Sequence, residues 1–421
     1  MFLSSRPTVL VTTLGDFRYR GFCLQQVAAA YNVVVIDSVS PTPEHAPYVA
    51  DFEIADPHDE QALLAAGREL AGRHDLAGVM TWNEWVLVPT ARLAEQLGLP
   101  SNTPEVMLAC RNKATARARF ARAGVPSAAS MKAASLLEAA MAADAVGGYP
   151  VVLKPAAYAA SVGVIHVERP EDLPAAFGFA TAGASQAMES TAVLVEEYLD
   201  GPEVSVETVT FAGTTLPVAV TRKSLGALPY FEETGHAVAA GDPLLAEAGP
   251  VAVAAVRALG VEHGVCHVEI RLTSRGPRVV EVNARIGGDL IGHLVDLATG
   301  IQLARAAADI ACWCAPDLTP TRHQAAAVRI RYPETSGTVT ARGLTRGFAA
   351  GTPWLDRATW LCDVGDRLLL PPEGSSFTAR AGLVVVTAPT AALAERRAQR
   401  AYDHMTVDMD PATDEPQATT A

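Results

Sequence analysis

Two glutamates twelve residues apart constrain this chain more than any other feature. Glu269 lies in His267-Val-Glu-Ile-Arg271 and Glu281 in Arg278-Val-Val-Glu-Val-Asn-Ala-Arg-Ile-Gly-Gly288. Both pieces alternate apolar and polar residues and are rich in β-branched side chains, which predicts strands. Thr273-Ser-Arg-Gly-Pro277 between them predicts a five-residue turn, with Leu272 paired to Arg278. That antiparallel register sets Glu269 opposite Glu281. Asn283 and Arg285 share the face of Glu281, because side chains repeat every two residues. Like charges about 5 Å apart across a strand pair destabilise it unless something neutralises them. A hard divalent cation, Mg²⁺ with Mn²⁺ as the alternative, would do so through carboxylate and amide oxygens. Without the cation, removal of Glu281 should relieve repulsion and slightly raise stability.

The rest of the chain narrows the setting. Its 421 residues suffice for several subdomains. With 49% hydrophobic and 19% charged residues it is globular rather than disordered. A net charge of −13 argues against nucleic acid or an anionic membrane as partner. Met1-Phe-Leu-Ser-Ser-Arg-Pro7 lacks a basic region followed by an apolar core, and no apolar run reaches membrane-spanning length. Six scattered cysteines show no paired zinc spacing and are expected reduced in a cytoplasmic protein. Small-molecule partners are expected, and a homodimer is left open. Only four lysines occur, at 113, 132, 154 and 223. Lysine persists where a compact ammonium is required rather than a planar fork.

Strand and helix signals alternate over residues 1–105. Strands are expected at Thr8–Thr12, Asn32–Asp37 and Ala77–Thr81, and helices at Gly21–Ala30, Glu60–Gly72 and Val86–Leu97. This βαβαβ order predicts an α/β fold with a parallel sheet between helices. From 106 to 315 the pattern changes. A helix over Arg111–Ala123 is followed by a strand ending at Lys154-Pro155. A loop of small residues follows, Ala156-Ala-Tyr-Ala-Ala-Ser-Val-Gly163, then a return strand, together forming a hairpin flap within about 125–195. Val193-Leu-Val-Glu196-Glu-Tyr-Leu-Asp-Gly201 runs into a turn and Glu203–Phe211 is another strand. Residues 320–405 predict a small separate α+β domain, and 406–421 a disordered tail.

Taken in order, these motifs resemble the ATP-grasp superfamily, and within it carboxylate–amine ligases of the L-amino-acid (dipeptide) type. The likeness covers roughly residues 75–300 and implies three parts: an N-terminal pre-ATP-grasp domain, an ATP-grasp domain with a mobile flap, and a C-terminal domain. It implies an ATP site in which Lys113, in Arg111-Asn-Lys113, and Lys154 meet phosphates. Ser161 and Gly163 line a phosphate loop, where Ala159-Ala160 and Val162 depart from the family's glycine-rich pattern. Glu196, Tyr198 and Leu199 read adenine, Glu196 accepting from the exocyclic amine and Leu199 offering its backbone N–H, and Glu203 takes the ribose hydroxyls. Glu269, Glu281 and Asn283 hold Mg²⁺. Arg285 contacts the transferring phosphate or the substrate carboxylate, acting in catalysis with Lys154.

The same likeness makes Glu84, Lys223, His236, Arg285, Gly287 and Gly288 candidates for substrate contact. His236 would lie in an acceptor loop, and Gly287-Gly288 would let substrate approach the backbone. Glu84 follows a parallel strand at its carboxyl end, where ligands gather. The expected reaction is ATP-dependent joining of a carboxylate to an amine through an acylphosphate. A bicarbonate-using carboxylase of the same superfamily and a nucleotide-binding regulator without turnover are the alternatives.

Overall fold

The computed structural model describes residues 6–158, 161–186 and 190–411. Ala159 and Ala160 of the small-residue loop, and 412–421 of the expected tail, lie outside the described residues. At the N-terminus four parallel strands stand in the order Asp51–Ile54, Asn32–Asp37, Thr8–Thr12, Leu76–Met80. The buried runs Val9–Val11 and Val33–Ile36 explain the central pair, since both faces are covered by helices. The edge strand Asp51–Ile54 escaped the sequence reading because its Asp-Phe-Glu-Ile pattern leaves Phe52 and Ile54 exposed.

The flap is a four-stranded antiparallel sheet, ordered Ser130–Ala133, Val193–Glu197, Val151–Pro155, Ile165–Val167. Helices Leu136–Ala145 and Leu173–Ala184 back it, so it has a core of its own. The helix expected over Arg111–Ala123 begins at Lys113, and Arg111 closes a separate preceding helix. Asn112 ends Pro104–Arg111 and caps Lys113–Ala123, accepting from the Thr115 N–H. This break turns Lys113 inward, where it is 5% exposed.

The eight-stranded central sheet corrects the expectation for the C-terminal part. Its antiparallel order runs from Gly276–Asn283 and Gly264–Thr273 through Glu203–Phe211, Thr214–Leu225 and Glu233–Ala239 to Ala325–Arg331, Gly382–Ala388 and Leu355–Trp360. The last three strands come from the region expected to be a separate α+β domain, so the C-terminal part extends the same sheet. Tail residues 406–411 are ordered too, in the strand Met405–Pro411 paired with Gly337–Leu344. Its Thr-Val-Asp-Met-Asp alternation signals a half-exposed strand. Among the described residues no helix is long and apolar enough to cross a membrane.

Candidate active site

The glutamate hairpin forms with the expected facing and a different route to it. Strands Gly264–Thr273 and Gly276–Asn283 pair Arg271 with Arg278 and Leu272 with Pro277, so only Ser274 and Arg275 turn the chain. A bulge at Val280 then shifts the register by one, and Glu269 pairs with Glu281 and His267 with Asn283. The turn is shorter than expected by one pairing step, and the bulge restores that step.

Lysine ammonium groups neutralise the two carboxylates. Lys223 Nζ lies 2.8 Å from Glu269, 2.9 Å from Glu203 and 2.6 Å from Glu233. Lys113 Nζ lies 2.9 Å from Glu281 and donates to the Tyr158 carbonyl at 2.6 Å. The expected gain in stability on removing Glu281 is therefore reversed, because Lys113 would lose its partner. Burial works against the charge of Lys223, yet Glu203, Glu233 and Glu269 outweigh it and raise its pKa well above the ordinary value.

These groups open on a cleft of about 110 Å³ between the flap sheet and the central sheet. Lys113, Lys154, Ser161, Glu196, Tyr198, Leu199, Glu203 and Lys223 all line it. Lys223, expected at the substrate, thus stands among the nucleotide candidates. Gly163 lines an adjoining larger cavity instead, packed on Gly183. A Cβ at Gly163 would come within 2.9 Å of Pro155 Cγ and 3.1 Å of Gly183 Cα.

Glu196 has cationic partners within the protein. Its carboxylate accepts from Arg117 Nε at 2.8 Å and Arg117 Nη2 at 2.9 Å, and lies 2.6 Å from Lys154 Nζ. A cation stands on each oxygen, as it does on Glu203 through Lys223 and Arg271, so a nucleotide contact at either carboxylate would be shared with these partners. Burial pushes the Glu196 carboxyl up, but Arg117 and Lys154 outweigh it and hold it at about 2. A carboxyl lowered from an ordinary 4.5 stabilises the fold above about pH 4.5 and loses that contribution as pH falls toward 2. Melting temperature is expected to fall through that window, and Glu196→Gln to lack this component in a pH series of thermal melts. Glu197 faces the other way, toward Arg275 at 2.7 Å.

This second, larger cavity, of about 980 Å³, adjoins the cleft along Glu269 and Glu281. Its walls come from the carboxyl ends of the N-terminal strands, the hairpin face with Asn283, Arg285 and Gly288, and the 371–380 loop. Arg285 Nε lies 2.7 Å from Glu84 Oε2, and its Nη1 donates to the Ile286 carbonyl at 2.9 Å. Arg111 holds the other side of Glu84, 3.4 Å from Oε1. The two candidates Glu84 and Arg285 are thus one buried ion pair.

Two substrate candidates stand elsewhere. His236 is in the strand Glu233–Ala239 rather than a loop, 2% exposed, with Nε2 3.1 Å from Asp289 Oδ2. It lies behind the wall of the large cavity and supports Asp289. Gly287 is a packing glycine, since a Cβ there would lie 2.9 Å from His267 Nδ1. Gly288 does line the cavity, next to Tyr19.

The sequence reading missed a buried cluster around Asp289. This carboxylate receives Arg380 Nη2 at 2.9 Å, the second Arg380 nitrogen and the Tyr19 hydroxyl. Burial raises the Asp289 carboxyl, but Arg380 and His236 hold it well below the ordinary range. Its φ of 49° and the 60° of Leu290 are sparsely populated for such residues. His267 was missed as well. Its Nδ1 lies 2.8 Å from Glu207 and its Nε2 3.3 Å from Glu269. Burial disfavours the imidazolium, yet Glu207 and Glu269 raise its pKa to about 9. Its place two residues before Glu269, on the same strand face, was the available signal.

The donor set fits a hard cation. Glu269 and Glu281 offer carboxylate oxygens on the wall shared by cleft and cavity, and Asn283 adds an amide oxygen on the cavity side. Glu269 also belongs to a second acidic group with Glu203 and Glu233, whose oxygens lie within 4.8 Å of one another around Lys223.

Comparison with known proteins agrees with this geometry. An ATP-grasp domain matches residues 147–293, and an ATP-grasp N-terminal domain matches residues 28–101. The phosphoribosylamine–glycine ligase of Streptomyces coelicolor is 32% identical over 83% of this chain and 85% of its own length. The alanine–anticapsin ligase of Bacillus subtilis is 27% identical over 63% of this chain and 62% of its own length. Carnosine synthase 1 of Homo sapiens is 31% identical over 63% of this chain, which spans 34% of that protein. The crystal structure of an L-amino acid ligase from Bacillus licheniformis superposes with a TM-score of 0.80 at 22% identity, covering 97% of this chain and 100% of that one. The two domain matches and the full-length similarity to a ligase show that this chain belongs to the ATP-grasp family, among its carboxylate–amine ligases.

Proposed function

We propose that this enzyme activates an amino acid or related acid with ATP and joins it to an amine, releasing ADP and phosphate. The observation that carries the proposal is the shared wall. Glu269 and Glu281 border both a cleft with three inward lysines and a larger cavity, where Asn283 and Arg285 stand on the same wall. A phosphoryl group held there faces phosphate ligands on one side and an acyl substrate on the other.

In this reading the substrate carboxylate attacks the γ-phosphorus, ADP leaves, and the amine attacks the acylphosphate carbonyl and expels phosphate. Lys154 lies against the phosphates as a point charge, oriented by Glu196. Leu199 offers its backbone N–H to adenine and Glu203 accepts from the ribose. Mg²⁺ bound by Glu269, Glu281 and Asn283 would supply charge neutralisation for the phosphates. Lys113 and Lys223 place positive charge beside the same carboxylates, 2.9 Å from Glu281 and 2.8 Å from Glu269. Arg285, braced by Glu84, stabilises charge on the transferring group. The chain's contribution is positioning and electrostatics, with no nucleophilic side chain required.

ADP release measured over a panel of amino-acid pairs tests the proposal. Turnover requiring both an acid and an amine supports it, and turnover stimulated by bicarbonate alone, or binding without turnover, overturns it. Lys154→Ala is expected to weaken ATP binding about tenfold, since a phosphate contact is worth roughly 1.4 kcal/mol. Lys154→Arg should recover little of it, because the space beside Glu196 already holds the fork of Arg117. Titration calorimetry with ATP reads both.

A further inference from the structure

Charge matching around the large cavity leaves one cation over. Its lining includes Arg20, Arg285, Arg380 and His267. Arg285 is matched by Glu84, Arg380 by Asp289 and Glu233, and His267 by Glu207 and Glu269. Among the described residues Arg20 has no carboxylate partner. It lies in the first turn and a half of the helix Phe17–Ala28, half-buried. One N–H, from Nη1, reaches the Gly287 carbonyl at 3.1 Å, and the guanidinium sits 5.5 Å from the centre of the Tyr19 ring. Its stem packs beside Gly15, where a Cβ would lie 3.4 Å from Arg20 Cγ. These contacts fix the side chain and leave most of its five donors for something else. The neighbouring acid Asp16 is taken by Arg18 at 2.6 Å.

We infer that Arg20 is a specificity-determining residue that binds the carboxylate of the amine substrate, so that the acceptor is itself an amino acid or a similar anionic amine. The inference rests on the ligase reading given above. The position of Arg20 decides which carboxylate it takes. The reacting carboxylate belongs at the wall of Glu269, Glu281, Asn283 and Arg285. Arg20 is tied to Gly287, past the end of that strand, and reaches the cavity from the N-terminal domain. A carboxylate bound there is held away from the phosphoryl group, as the acceptor's own must be while its amine attacks. Arginine suits this role because its planar fork pairs with a carboxylate through two parallel hydrogen bonds.

The test compares wild type, Arg20→Ala and Arg20→Lys in ADP release, with each acceptor amino acid supplied either as such or as its carboxamide. Wild type should prefer the free carboxylate. Arg20→Ala should raise KM for the amino-acid acceptor at least about tenfold while leaving KM for the carboxamide, and ATP affinity by calorimetry, near wild type. Arg20→Lys should recover part of the loss. Unchanged acceptor KM in Arg20→Ala overturns the inference, as does a rise confined to KM for the acid that is activated. An equal loss with carboxamide and carboxylate would make Arg20 merely structural and overturn it too. Absence of turnover in wild type with every acid–amine pair would instead refute the ligase reading, and this inference with it.

Discussion

Glu281→Gln is expected to lower ADP release at least about a thousandfold, roughly 4 kcal/mol of transition-state stabilisation, while the protein stays folded. The substitution keeps the size of the side chain and an oxygen for the Lys113 ammonium, which lies 2.9 Å from Glu281. It removes the negative charge that a divalent cation needs on the wall shared by cleft and cavity. Glu281→Ala should lose the same activity and also destabilise the fold by about 1–3 kcal/mol, since Lys113 is left buried without its carboxylate. Steady-state assays over a range of Mg²⁺, with thermal melts of both variants, check this. Near-wild-type turnover in the Gln variant would remove the hairpin from the catalytic machinery. A rise in the stability of the Ala variant would mean that repulsion from Glu269 outweighs the lysine contact.

How much was legible in the sequence follows the range of the interaction that fixes each feature. The strands Thr8–Thr12, Asn32–Asp37 and Glu203–Phe211 are local signals of apolar, β-branched runs, and the structure places them with those bounds. The facing of Glu269 and Glu281 was legible because a strand pair joined by a short turn is nearly local. Even so, the path differed: a tighter turn and a bulge at Val280 replaced a longer turn with regular pairing. The partners of those glutamates were not legible. Lys223 comes 46 residues before Glu269, and Lys113 belongs to a helix whose break at Asn112 looks continuous in composition.

The least legible unit is the cluster at Asp289, whose ligands Tyr19 and Arg380 lie 270 and 91 residues away. No periodicity carries such information, because only the packing of three chain segments brings those groups together. Glu196 shows the converse failure. Its place in the cleft followed from the strand, but its carboxylate partner could be known only once Arg117 was in place. The continuity of the C-terminal strands with the central sheet was hidden likewise, since strand order is a long-range property.

Replacing Arg285 tests the other side of the shared wall. Arg285→Ala is expected to lower kcat at least about a hundredfold, about 2.7 kcal/mol, with a smaller effect on KM for ATP. Arg285→Lys should remain at least about tenfold below wild type. The reason is geometric. The guanidinium spans two directions at once, with Nε on Glu84 and Nη1 on the Ile286 carbonyl, and so presents its remaining edge to the cavity in a fixed orientation. A lysine ammonium can sit on Glu84 or face the phosphoryl group, but one point charge cannot do both. Glu84→Gln should therefore reproduce part of the Arg285→Lys defect without touching the reacting atoms, and the double variant should lose less than the sum of the two. Pre-steady-state ADP release gives kcat for the first step separately from amine attack. If Arg285→Lys leaves that step intact and shifts only KM for ATP, Arg285 belongs to nucleotide binding, and the acyl substrate must sit against another part of the cavity wall.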